Sequence, residues 1–103
     1  MQKALAQGNL CFLMAPHFHK AMRHVSPIRQ ELKLRTIFNL LGPISNPAQV
    51  KRQVLGVYDV SLLRTMAEVV RALGVEKTWV VHGANGLDEC ALHGTTWVAE
   101  ATP

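Results

Sequence analysis

The sequence has 103 residues, of which 49% are hydrophobic and 17% charged, with a net charge of +4. That suffices for one small globular domain and is too apolar for a disordered segment. No run nears the ~20 apolar residues of a membrane span, and the first ten residues do not read as a signal peptide.

The cysteines, Cys11 and Cys90, lie far apart and form no C-x-x-C pair, so they read as reduced thiols in a cytoplasmic protein. Residues 1–8 read as the end of a helix begun before this sequence. Cys11-Phe12-Leu13-Met14 is a short apolar run ending at Ala15-Pro16, consistent with a buried strand. His17 to Lys20 reads as loop. Ala21, Met22, Val25, Ile28 and Leu32 then recur at helical spacing. Pro27 suits a first helical position. Ser26 as N-cap would then place Arg29 at N3; alternatively an earlier helix runs through 20–25 and kinks there.

Ile37, Phe38, Leu40 and Leu41 suggest a short helix stopped by Gly42-Pro43. Residues 53–58 read as a strand. Ser61 can cap the clearest helix, with Leu62, Leu63, Met66, Val69, Val70 and Leu73 on one face and Gly74 past its end. Residues 77–81 are β-branched and aromatic, a buried strand, and Trp97-Val98-Ala99 opens another. This alternation, with short links, predicts an α/β fold with a parallel sheet and flanking helices. Ligand sites in such sheets lie beyond the carboxyl ends of the strands. So few strands cannot close a core for helices this apolar. Residues 1–103 therefore read as one incomplete α/β domain of a larger protein.

Several residues can carry chemistry. Arg29 offers a planar donor fork that matches a carboxylate, or else pairs in solvent with an acid such as Glu31. His17 and His19 could ligate a metal, yet no third ligand stands at a recognisable spacing; lining a pocket is the other reading. Asp88-Glu89 is a carboxylate pair in a glycine-containing loop, suited to Mg²⁺ with substrate phosphates, or an exposed acidic turn. Gly42 would let backbone approach a ligand, or simply end a helix. Neither a GxGxxG nor a P-loop motif is present. The positive residues are scattered, with only Lys51 and Arg52 adjacent. That basic balance, with a pI near 9.5, permits nucleic acid, an anionic small substrate or mere solubility; with no basic run interleaved with aromatics, the nucleic-acid reading is weak and an anionic small substrate fits as well.

Taken together, F-L-M-A-P-x-F-H, A-M-R-H-V-x-P-I-R-x-E-L, R-T-I-F-N-L-L-G-P, N-P-A, L-G-V-Y and V-V-H-G-x-x-G-L-D-E resemble the anthranilate phosphoribosyltransferases. The resemblance implies a segment of a phosphoribosyltransferase/nucleoside-phosphorylase-like C-terminal domain, in an enzyme usually assembled as a homodimer. It implies transfer of the phosphoribosyl group of phosphoribosyl pyrophosphate to anthranilate, in tryptophan biosynthesis, with release of pyrophosphate. It places Arg29 on the anthranilate carboxylate, Ala15, Pro16 and His19 along the anthranilate channel, and Gly42 against the ring. It places Asp88 and Glu89 on Mg²⁺. Met22 stands where some members have an aromatic. The family's G-T-G-G-D and K-H-G-N segments, which cradle the diphosphate, are not in these residues. The isolated chain is therefore expected to be inactive. A nucleic-acid-binding relative without transferase activity and a non-functional remnant are the alternative readings.

Overall fold

The computed structural model describes residues 1–13, 38–46 and 48–103. The chain divides into two units, Met1–Asn39 and Leu40–Pro103. In the first, α1 spans Gln2–Gly8 and buries none of its residues. It ends on Asn9 in the left-handed conformation (φ 55°), whose N–H donates to the Leu5 carbonyl; a short polar side chain tolerates that conformation. Cys11 to Leu13 forms no strand, and Phe12 is 80% exposed. Apolar composition there does not produce a buried strand in the described part of that run.

The second unit holds the sheet. Helix α2 spans Phe38–Ile44, so it continues through Gly42-Pro43 instead of stopping there. Proline's fixed φ suits a helix, although its missing N–H removes one ladder bond, and the helix ends one residue later. Ser45 closes the end, its N–H donating to the Gly42 carbonyl and its hydroxyl to that of Leu41.

β1 (Arg52–Gly56) and β2 (Lys77–Gly83) are parallel, with Leu55 opposite Val80 and Gly56 opposite Val81. α3 (Leu62–Ala72) is the crossover between them. Ser61 occupies its N-cap without a side-chain capping bond. Instead Asp59 Oδ1 accepts both the Ser61 N–H and hydroxyl, at 2.8 and 2.7 Å, a side-chain turn that aims the chain into the helix. Gly74 follows at φ +83°, where a Cβ would be strained. Leu73 lies beyond the helix and is exposed, unlike the buried face expected for it.

β3 (Thr96–Ala101) pairs with β2 antiparallel, Val80 opposite Ala99 and Gly83 opposite Thr96. The α/β class holds, but the sheet is mixed, in the order β1-β2-β3, where alternation alone predicted parallel strands. The reason is the connection. A parallel return needs a crossover, usually helical, and residues 84–95 contain only the 3₁₀ turn Ala84–Gly86.

Strand alternation puts Leu55, Val57, Val80 and Ala101 on one face, where they cluster with Met66, Val70 and Val75. Burying each such side chain contributes roughly 1.5–3 kcal/mol for the larger ones. The opposite face carries Val54, Trp79 and Val98, all substantially exposed. Among the described residues, no helix is long and apolar enough to cross a membrane.

Candidate functional site

β1 ends at Gly56, opposite Val81, and β2 runs on two residues further to Gly83. The Val57 N–H donates to the Val81 carbonyl at 2.9 Å, extending the ladder one residue past Gly56. After Gly83 the chain turns through Asn85 (φ 63°) and Gly86 (φ 78°). It folds back so that the Gly83 N–H donates to the Leu87 carbonyl at 2.8 Å. Further on, the Ala91 N–H donates to Thr96 Oγ1, at the start of β3, at 2.9 Å. Asp88 and Glu89 lie between these two ties and are exposed.

His82, 8% exposed, stands on β2 next to this turn. Its Nδ1 lies 2.8 Å from the Val57 carbonyl. A carbonyl only accepts, so Nδ1 carries a proton. The ring centroid is 6.2 Å from that of Trp97 on β3, and the imidazole thus links all three strands at their site end.

Asp88 and Glu89 supply hard oxygen donors of the kind Mg²⁺ takes. Among the described residues neither carboxylate forms an ion pair, and no group of three His, Cys, Asp or Glu gathers around a common point. Two exposed carboxylates on a tied loop fit a cation that keeps several waters and is completed by substrate phosphates. They do not form an all-protein cage.

Of the residues singled out in the sequence, Gly42 lies in α2, half-buried, and a Cβ built on it meets no described atom within 4 Å. Asp88 and Glu89 occupy the loop beyond β2, the position expected for ligand groups. Ala15, Pro16, His17, His19, Met22 and Arg29 lie outside the described residues. Cys11 is half-buried and Cys90 exposed.

A protein family described as "Glycosyl transferase family, a/b domain" matches residues 1–103. The chain belongs to that family. It is 57% identical over 98 residues to the anthranilate phosphoribosyltransferase of Phenylobacterium zucineum, covering 95% of this chain and 29% of that protein. To the enzyme of that name from Actinobacillus pleuropneumoniae it is 54% identical over 99 residues, covering 96% of this chain and 29% of the relative. The solved Saccharomyces cerevisiae anthranilate phosphoribosyltransferase in complex with PRPP and Mg superposes with a TM-score of 0.87 at 38% identity, over 98% of this chain and 29% of that one. The same yeast enzyme in complex with 4-fluoroanthranilate gives a TM-score of 0.86. The chain thus spans under a third of the length of the relatives it matches.

Sequence reasoning about this family member overlooked Gly56, Gly83 and Thr96. Their signal was present for the glycines: a glycine inside a strand marks a bulge or a close approach of another backbone. Thr96 carried no such mark, since its partner Ala91 is found only once the loop is folded.

Proposed function

We propose that this chain supplies the anthranilate grip and the Mg²⁺–pyrophosphate side of an anthranilate phosphoribosyltransferase. In that reaction the bond from ribose C1 to pyrophosphate oxygen breaks and its electron pair leaves with pyrophosphate. The anthranilate nitrogen lone pair forms the new bond to C1, with inversion, and the surplus amine proton passes to solvent. The observation carrying this reading is the Asp88-Glu89 pair on a tied loop beyond the parallel strands, in a chain similar to a protein solved with PRPP and Mg.

Each residue has a task in this reading. Arg29 donates its guanidinium fork to the anthranilate carboxylate and so fixes where the amine points. Ala15, Pro16 and His19 wall the aromatic ring and exclude water. Gly42 is assigned to the ring by the family resemblance alone. Asp88 and Glu89 hold Mg²⁺, which when bound neutralises charge on the departing pyrophosphate. The amine is already nucleophilic, so no catalytic base is assigned. The same reading places residues 1–103 as part of a larger α/β domain, in a cytoplasmic homodimer with no nucleic-acid partner.

The deciding experiment is Arg29→Ala in the intact protein. The KM for anthranilate rises about tenfold to a hundredfold, the worth of a hydrogen bond to a charged group, while the KM for phosphoribosyl pyrophosphate changes little. An unchanged anthranilate KM overturns the assignment.

A further inference from the structure

Four glycines of this chain form two contrasting pairs. Gly74 and Gly86 have φ of +83° and +78°, and a Cβ on either would meet nothing within 4 Å. There glycine answers a torsional demand. Gly56 and Gly83 show the reverse. Gly83 has an ordinary extended φ of −88°, yet a Cβ on it would lie 2.4 Å from the Glu89 carbonyl oxygen and 3.2 Å from the Ala91 Cβ. A Cβ on Gly56 would lie 1.6 Å from the Asp88 carbonyl oxygen. Non-bonded carbon contacts are optimal near 3.5–4.0 Å, so neither methyl group fits unless the loop moves.

Both glycines stand on the sheet face away from α3, alternating with Leu55, Val57 and His82. Val81, opposite Gly56, is on that face too and is 1% exposed. Two neighbouring strands therefore each omit a side chain at the point where the main chain of the carboxylate pair crosses them. The loop ends are tied as well, Leu87 to Gly83 and Ala91 to Thr96.

We propose that Gly56, Gly83 and Thr96 are positioning residues for the Asp88-Glu89 carboxylates, acting by seating the main chain of that loop on the ends of β1 and β2. The inference rests on the metal role proposed for the pair. Mg²⁺ demands near-ideal octahedral geometry at about 2.0–2.1 Å. A loop lifted by the ångström or more that a methyl group requires cannot offer its oxygens at that distance without being rebuilt.

The test measures Mg²⁺ binding in the presence of pyrophosphate by titration calorimetry on the intact protein, alongside steady-state kinetics. Gly83→Ala and Gly56→Ala weaken Mg²⁺ binding about 10–100-fold, the usual cost of losing groups that orient metal ligands, with the KM for anthranilate unchanged. Thr96→Val, which deletes one acceptor and keeps the shape, weakens it about two- to tenfold. Folded glycine variants with undiminished Mg²⁺ binding overturn the proposal. The double variant Asp88→Asn/Glu89→Gln separates the layers. If it too leaves Mg²⁺ binding intact, the metal reading fails and the seat with it; if it abolishes binding while the glycine and threonine variants do not, only the seat fails. Should the glycine variants not fold, Thr96→Val and amide exchange in the unaltered protein decide. The Gly83 and Ala91 amides exchange slowly without metal if the seat is prebuilt. Fast exchange that slows only on adding Mg²⁺ and pyrophosphate overturns it.

Discussion

The two faces of the three-stranded sheet are built on opposite rules. Toward α3, every strand presents a side chain, and Leu55, Val57, Val80 and Ala101 close against Met66 and Val70. On the other face, β1 and β2 carry exposed Val54 and Trp79 at one end and glycines at the other, where a loop backbone lies against them. One face fills its space with side chains, and the other leaves room for a loop backbone. Stability and site geometry should therefore respond to different substitutions.

The largest effect on the filled face is expected for Met66→Ala. Met66 is 4% exposed, and deleting such a side chain costs about 2–5 kcal/mol. The urea midpoint should fall with the slope unchanged, while Mg²⁺ binding by the surviving folded protein stays as it was. A loss under about 1 kcal/mol, well short of that range, breaks the comparison. Next is a gain. Thr78 is fully buried on the same face, and among the described residues its hydroxyl has no hydrogen-bond partner. An unsatisfied buried group costs about 1–3 kcal/mol, so Thr78→Val should raise the urea midpoint. A drop would mean the hydroxyl is serving a partner.

The smallest effect belongs to the open face. Glu100 accepts from Trp79 Nε1, and Lys77 Nζ stands 3.2 Å away. The Trp79 bond first, and Lys77 second, hold its carboxyl below the ordinary 4.5. The folded state then binds fewer protons than the unfolded state there. The stabilisation is complete above pH 4.5 and fades as the pH falls below that value. Glu100→Gln should lower the urea midpoint slightly at pH 7 and progressively less in acid. A deficit that is equal at all pH values removes the electrostatic account.

The filled face was the legible one. The three- and four-residue spacing of Leu62, Leu63, Met66, Val69 and Val70 located α3, and the β-branched run 77–81 located β2, because periodic burial writes itself into side-chain type. What failed was local. The apolar run at 11–13 forms no strand, and Pro43 does not end α2, because Ser45 supplies the closing bonds one residue after the helix. The direction of β3 depended on the connection before it, which lacks the amphipathic helix of a crossover. Asp88 and Glu89 were identifiable as chemistry but not as geometry. Their loop is fixed by main-chain contacts to Gly56 and Gly83, and contacts made by an absent side chain leave only a glycine in the text.

A loop clasped by its peptide groups keeps the same course whatever is attached to its α-carbons. If the proposed seat holds, substitutions at positions 88 and 89 should leave the neighbouring strands undisturbed, because the loop is tied through Leu87, Ala91 and the backbone at 88 and 89. Positions 56 and 83 have no such liberty, although they offer the chemistry nothing of their own.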